Sequence, residues 1–434
     1  MSTMTSVQEA VGGTYAERSL RVFPAGSNGE FNLPRELVRV IESGHGCRLR
    51  DVEGRELLDF SMGWGSVLPG HARAEVVNAV GRRAALGTNF AYPNVESLKL
   101  AEELVRLSPA CAGGGRVRFC ASGTEATMHC LRLARAARGR SGVMKFEGAY
   151  HGSNDEGTVS LFPSGKTPFP TPEPSSAGVN SGHVLVAPFN DADRVETLLA
   201  EYGEDLAAVI VEPLHRCLAP APGFLPRLRE ACDRHGVLLV FDEVVTGFRL
   251  AYGGAQQRYG VVPDLVAYGK ALGGGLPIGA FGGRADLMDL VREDRAGGPE
   301  YVWTASTLGG NPVSCAGANA ALAVYRREGT YERLDMLGEA FREGLRRVLK
   351  DTGHAGQVIG DGPLGQIVFS DRPVYDYRTT IAGDRAKARA MMLGLFARDV
   401  FINPMGTKLY LSLAHDEEAC GEFLERLAAV LRGL

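Results

Sequence analysis

Lysine is scarce in this chain: 7 of its 47 basic residues are lysine and 40 are arginine. Any chemistry that needs a lysine amine therefore has few candidates. Charge excess is missing too, with 47 Lys plus Arg against 51 Asp plus Glu and a formal net charge of -4. A general nucleic-acid binder would carry a basic patch or excess, so no nucleic-acid partner is expected. No apolar run approaches the ~18–20 residues of a membrane span, and no membrane partner is expected. The first residues lack a charged stretch leading into an apolar one, so no secretory leader is expected. The 8 cysteines are scattered, at 47, 111, 120, 130, 217, 232, 315 and 420, with no CxxC pair. Metal-ligand spacing is thus absent, and reduced thiols in a cytoplasmic protein are the simplest reading. Internal repeats and low-complexity tracts are absent as well.

What is present is ordinary globular composition over 434 residues, 45% hydrophobic and 23% charged. The length corresponds to about three domains' worth of chain, or two large ones. One stretch reads as a linker or surface loop, Phe162–Gly182, rich in Pro, Ser, Gly and Thr. Elsewhere strand-like and helical segments alternate. Strands are predicted at Arg116–Cys120, Gly142–Phe146, His183–Ala187, Ala207–Glu212, Val237–Asp242, Leu265–Tyr268 and Ala280–Gly283. Helices are predicted at Thr124–Ala137, Arg194–Tyr202 and Gly223–His235 between them. Continuous apolar strands such as VLLVFDE fit a mostly parallel sheet covered on both faces, hence an α/β domain. The tail reads as α+β: helices Asn311–Arg327, Tyr331–Thr352, Asp384–Arg398 and Glu417–Leu431, with strands Gln366–Phe369 and Lys408–Leu413. CRLRDVEGRELLDF reads as strand–turn–strand with its turn at Glu53-Gly54, expected to pack with the tail.

Ligands of open α/β sheets bind beyond the carboxyl ends of the strands, and four motifs fall there. Ser122-Gly123-Thr124 follows a strand and opens a helix, a place that favours an anion. Taken alone, an ordinary helix cap explains it more simply. Asp242-Glu243 ends VLLVFDE, where a buried carboxylate needs a cationic partner: a ligand, or an internal Arg such as Arg249. Lys270 lies between a strand and Gly273-Gly274-Gly275, with room for a ligand around an amine able to form a Schiff base. A surface lysine in a flexible loop is the plainer alternative. Tyr150-His151-Gly152 places an aromatic ring at a strand end, either stacked on a flat cofactor or part of the core. Together the four suit pyridoxal 5'-phosphate: helix start for phosphate, carboxylate for ring nitrogen, lysine for aldehyde.

At these motifs the resemblance becomes specific. The runs SGTEATMHCLRLARAARGR, KFEGAYHG, AAVIVEP, LLVFDEVVTGFR, PDLVAYGKALGGGLPIGAFGG and STLGGNP resemble the class III pyridoxal-phosphate-dependent aminotransferases, and among them the glutamate-1-semialdehyde aminomutases. The likeness runs from about Phe23 to the C-terminus. It implies the PLP-dependent transferase fold type I: a large domain with a mostly parallel seven-stranded sheet, and a small α+β domain built from both termini. The boundaries expected are 1–75 and 326–434 for the small domain and 76–325 for the large cofactor domain. The resemblance also implies roles. Lys270 forms the cofactor aldimine and then moves protons, and Asp242 keeps the ring nitrogen protonated. Val244 packs on one ring face and Tyr150, or its neighbour His151, on the other. Ser122, Gly123 and Thr124 take the phosphate, and Glu212 lies near the ring edge. Thr307 reaches the phosphate of a partner subunit, which implies a homodimer with shared active sites. Trp64 lines the substrate entrance.

The implied activity is amino-group transfer from an amine or amino-acid donor to a carbonyl acceptor. The alternative is an aminomutase that moves the amine within one substrate, with Ser153–Gly182 as the gating loop. A decarboxylating or epimerising enzyme, or a silent protein of the same fold, fits less well. Departures from the family pattern bear on substrate. The aminomutases carry a serine and an arginine for the substrate carboxylate where this chain has Gly29 and Asn32. The arginine that many relatives place near the C-terminus is missing around Met405 or Gly406. Lys408 or Arg216 could replace these clamps; a solvated strand residue and a structural ion pair are the respective alternatives. His215 or Cys217 stands where relatives have Gln or Asn. Glu30 raises the alternative of a substrate with a second amine or several hydroxyls.

Overall fold

The structure, a computed structural model, describes residues 13–29, 32–404 and 407–434. Its strands, in chain order, are β1 (Ile41–His45), β2 (Arg48–Asp51), β3 (Glu56–Asp59), β4 (Arg116–Cys120) and β5 (Gly142–Phe146). There follow β6 (Val184–Ala187), β7 (Leu206–Val211), β8 (Leu238–Asp242), β9 (Leu265–Tyr268) and β10 (Gly279–Gly283). The tail holds β11 (Gln357–Ile359), β12 (Leu364–Val368), β13 (Val400–Phe401) and β14 (Leu409–Tyr410).

The large sheet has 7 strands in the order β4-β10-β9-β8-β7-β5-β6. Strands β5 to β9 pair in parallel, and β10 runs antiparallel to both neighbours. Both faces are covered, which is why these strands read as unbroken apolar runs. Along β7, Ala208 and Ile210 face one side and Val209 and Val211 the other. The first pair packs under helix Gly123–Arg138 through Ala126, Cys130 and Leu133. The second pair faces helices Ala192–Tyr202, Phe224–His235 and Pro312–Tyr325.

The N-terminal strands pack with the tail, as expected. Strand β13 adds in parallel to β3, pairing Val400 with Leu58. Leu58 and Phe60 share a core with Phe341, Phe396 and Phe423. The turn between β2 and β3 is held by Asp51, which accepts from the Gly54 amide through its carbonyl at 3.0 Å and from the Arg55 amide through its side chain at 2.9 Å. The expected strand Lys408–Leu413 is shorter, only Leu409–Tyr410. His415 Nδ1 accepts from the Ser412 amide at 3.0 Å and so turns the chain out of the sheet. The Pro-rich stretch is irregular and is pinned by Glu173. The Ser160 amide donates to the Glu173 carbonyl at 2.8 Å, and the Ser164 amide to its carboxylate at 2.9 Å.

Candidate functional site

A cavity of about 290 Å³ opens beyond the carboxyl ends of β5, β7, β8 and β9. Asp242 is the last residue of β8, Glu212 follows β7, Lys270 follows β9, and Tyr150 and His151 follow β5. All five line the cavity, with Gly123, Thr124, Val244, Trp64, Arg216 and Lys408. The sequence pattern therefore brings most of its candidates to one place.

Asp242 is 5% exposed, and its partner is a histidine rather than an arginine. His151 Nδ1 donates to Asp242 Oδ2 at 2.8 Å, and the Val244 amide donates to Oδ1 at 3.0 Å. The suggested pairing with Arg249 does not form. Arg249 donates instead to the carbonyls of Gly65, Val245 and Leu411. His151 is 2% exposed and is spoken for by Asp242, which leaves Tyr150 as the ring free to face a flat ligand. The His151 Nε2 atom is buried and has no hydrogen-bond partner. It is thus a buried polar atom without a mate among the described residues.

The anion seat is built from backbone. Ser122 caps helix Gly123–Arg138 by accepting from the Glu125 amide at 3.2 Å. Helix geometry leaves the Gly123 and Thr124 amides without intrahelical acceptors. Two positions here tolerate no side chain. A Cβ on Gly123 would stand 2.8 Å from both Val244 methyl carbons. A Cβ on Gly152, at φ +113, would stand 2.8 Å from Thr124 Cα. Such a cradle fits a phosphate resting on the helix start with a flat ring against Val244.

Lys270 has φ +43, in the left-handed region. Burial pushes its amine below the ordinary lysine range, with Asp242 opposing and Lys408 reinforcing that shift. Lys408 lines the cavity and is not a solvated strand residue. Burial lowers its amine as well, against the pull of Glu212. Burial alone would raise the Glu212 carboxyl, but His215, Lys408 and His151 outweigh it and hold the group below the usual carboxylate range. The approach of His215 Nδ1 to Glu212 Oε2, 3.1 Å, lacks hydrogen-bond alignment, and burial lowers the His215 imidazole below its ordinary range. His215 Nε2 meets the Glu147 carbonyl at 3.0 Å, and neither His215 nor Cys217 lines the cavity. Arg216 is not in a structural ion pair: no carboxylate among the described residues lies within 4.0 Å of it.

Thr307 is exposed and lies outside this cavity, with its carbonyl accepting from Asn89 Nδ2 at 3.0 Å. Glu30 and Met405-Gly406 lie outside the described residues. Sequence reasoning missed Asn403 and Tyr410, which reach the cavity from the tail on either side of Lys408. It also missed Lys145, in the middle of β5 and 1% exposed. Its Nζ donates to the carbonyls of Glu156 at 3.2 Å, Gly157 at 2.9 Å and Val159 at 2.6 Å. Burial pushes the Lys145 amine down to about 7. The signal was a lone lysine within an apolar strand. No cluster of metal-ligating side chains and no helix long and apolar enough to cross a membrane occurs among the described residues.

Comparison with known proteins agrees with this geometry. The family model of class III aminotransferases matches residues 32–431. A glutamate-1-semialdehyde 2,1-aminomutase of Thermomicrobium roseum is 40% identical, over 97% of this chain and 99% of its own. An omega-transaminase from Sphaerobacter thermophilus superposes with a TM-score of 0.90 at 36% identity, covering 96% of each chain. A beta-phenylalanine aminotransferase from Variovorax paradoxus gives 0.84 at 29% identity, over 96% of this chain and 92% of that one.

Proposed function

The chain belongs to the class III aminotransferase family, and from that premise we propose that it uses pyridoxal phosphate to move an amino group from an amine or amino-acid donor to a separate carbonyl acceptor. One observation carries the pyridoxal-phosphate part of this reading and serves a mutase equally: a lysine, a histidine-held carboxylate and a helix start converge on one cavity. The cofactor, when bound, supplies an aldehyde for the amine and a ring that draws electrons from the carbon bearing nitrogen. The chain's own residues do the rest. Lys270 would hold the aldehyde and carry protons beside it, a task suited to an amine that burial lowers below the ordinary lysine range. Asp242, fixed by His151 and the Val244 amide, holds a proton on the ring nitrogen. Val244 and Tyr150 would cover the two faces of its ring, with Glu212 near the ring edge; all three line the cavity. Ser122, Gly123 and Thr124 take the phosphate. Thr307 serves the partner's phosphate in a homodimer with shared sites.

The second reading is an aminomutase, and the names of similar curated relatives favour it over transfer between molecules. Gly29 and Asn32 argue the other way, because the serine and arginine expected for that substrate are replaced. Among the described residues of 24–32, none lines the cavity. A half-reaction separates the two. Holoenzyme is mixed with candidate donors and with glutamate-1-semialdehyde, without any acceptor, and the cofactor spectrum and products are followed. Stoichiometric carbonyl product supports transamination. An isomer with no released carbonyl product supports the mutase. No spectral change with any donor overturns both.

A further inference from the structure

We propose that Arg216 is the seat of a substrate carboxylate, and that the substrate's apolar or aromatic arm lies along the wall formed by Trp64, Leu161, Phe162 and Leu214. The proposal rests on the pyridoxal-phosphate reading. Its first support is charge. Among the described residues, the cavity wall carries 3 cationic side chains, Lys270, Arg216 and Lys408, and 2 carboxylates, Asp242 and Glu212. With the cofactor in place, Lys270 joins its aldehyde, Asp242 faces its ring nitrogen, and its phosphate meets the helix start. Arg216 and Lys408 then share the single carboxylate of Glu212, which acts on both. Among this chain's described residues, one positive charge is left over. A buried charge without a counter-ion is unfavourable, and an anionic substrate group would supply one.

The second support is geometry, which selects Arg216 over Lys408. Arg216 Nε donates to the Gly148 carbonyl at 2.6 Å and Nη2 to the Leu161 carbonyl at 2.8 Å. These bonds orient the guanidinium but leave its charge intact. The Phe162 and Tyr377 rings flank it, with centroids 5.4 Å and 5.3 Å away. Nη1 makes no hydrogen bond among the described residues, so the fork keeps donor capacity toward the cavity. The three supports come from different parts of the chain: Gly148 beyond β5, Leu161-Phe162 in the irregular loop, and Tyr377 in helix Tyr377–Ile381. That helix is itself fastened, because Arg378 meets the Glu147 carboxylate at 2.8 Å and 3.0 Å. Arg216 is therefore held ready rather than free to wander. Lys408 has no such frame among the described residues, and it helps keep Glu212 charged, the role of a counter-ion.

The test is calorimetric titration of the holoenzyme with hydrocinnamate and with its neutral amide. Wild type binds the carboxylate at least about tenfold more tightly than the amide. In Arg216→Met that ratio falls to about one, whereas Arg216→Lys, keeping the charge without the fork, falls in between. In Lys408→Met the ratio stays within about threefold of wild type. Equal binding of both probes by wild type overturns the proposal, and this comparison needs no variant to fold. A ratio lost in Lys408→Met and kept in Arg216→Met also overturns it. A ratio that behaves as expected while no amine donor alters the cofactor spectrum leaves the seat in place and removes the transaminase reading.

Discussion

Replacing Gly152 with alanine tests the anion seat directly. Gly152 has φ +113, where an L-residue costs about 1–2 kcal/mol. The added Cβ would stand 2.8 Å from Thr124 Cα and 2.9 Å from Thr124 Oγ1, well inside van der Waals contact. One of those atoms is helix backbone, so the start of helix Gly123–Arg138 must shift, at about 1–3 kcal/mol. Thr124 Oγ1 also accepts from the Ser153 amide at 3.2 Å, so movement of Thr124 disturbs both walls of the seat. Relaxation absorbs part of the total. A remainder of about 1.4 kcal/mol falling on the bound state alone weakens cofactor binding about tenfold. Apoenzyme titrated with pyridoxal phosphate, followed by absorbance, reads that loss. Gly223→Ala is the control: φ is +82 there, and nothing lies within 4 Å of the added Cβ. It carries the backbone cost without the collision, and lowers the melting temperature with cofactor affinity unchanged. The reasoning fails if Gly152→Ala binds cofactor as wild type does, or if Gly223→Ala weakens it equally.

Further variants probe the remaining parts. Lys270→Ala is expected to lose both turnover and the absorbance of lysine-bound cofactor; an active, yellow variant would refute the assignment. Asp242→Asn cannot hold the ring-nitrogen proton, so its single-turnover rate should drop by about 100-fold or more while cofactor is retained. An unchanged rate removes Asp242 from the chemistry. Burial pushes the Lys145 amine down to about 7 in the folded chain, against 10.5 for an ordinary lysine. Between these values the unfolded chain binds the proton that the folded one has lost. Stability contributed by this site therefore rises with pH from about 7, by up to about 1.4 kcal/mol per pH unit, and is level below. The melting-temperature difference between wild type and Lys145→Met should widen above neutrality in favour of wild type; a flat difference from pH ~6 to ~9.5 would show that Lys145 is not a strained cation.

The central sheet was legible because burial on both faces forces unbroken apolar runs: β4, β5 and β9 fall on their predicted limits, and β7 and β8 within a residue. Candidates such as Gly123, Asp242 and Lys270 were legible because each lies where a helix opens or a strand ends at the same edge. What escaped was whatever depends on partners distant in the chain. The His151–Asp242 bond joins the ends of β5 and β8, and no spacing rule links them. Arg216 could be weighed as a clamp or an ion pair, but the Tyr377 ring that decides its setting comes from the tail. Lys145 could not be placed from sequence, since its three carbonyl partners lie in and just after the short helix Asp155–Thr158, 11 to 14 residues further on.

Backbone conformation marks the site from a different direction. Trp64, Arg216 and Lys270 all line the cavity, and all have positive φ, at +54, +60 and +43. For residues other than glycine this costs about 1–3 kcal/mol each and persists only where surroundings over-determine it. The surroundings do so here. Ser61 Oγ accepts from the Trp64 amide at 3.4 Å. Two carbonyls hold the Arg216 guanidinium. The Leu272 amide closes on the Gly269 carbonyl at 3.0 Å around Lys270. A chain selected for stability alone would place glycine at such positions. A tryptophan, an arginine and a lysine stand at such positions in the cavity wall while ten other described residues share the strain outside it, so positive φ bears on these three only together with their place in the wall.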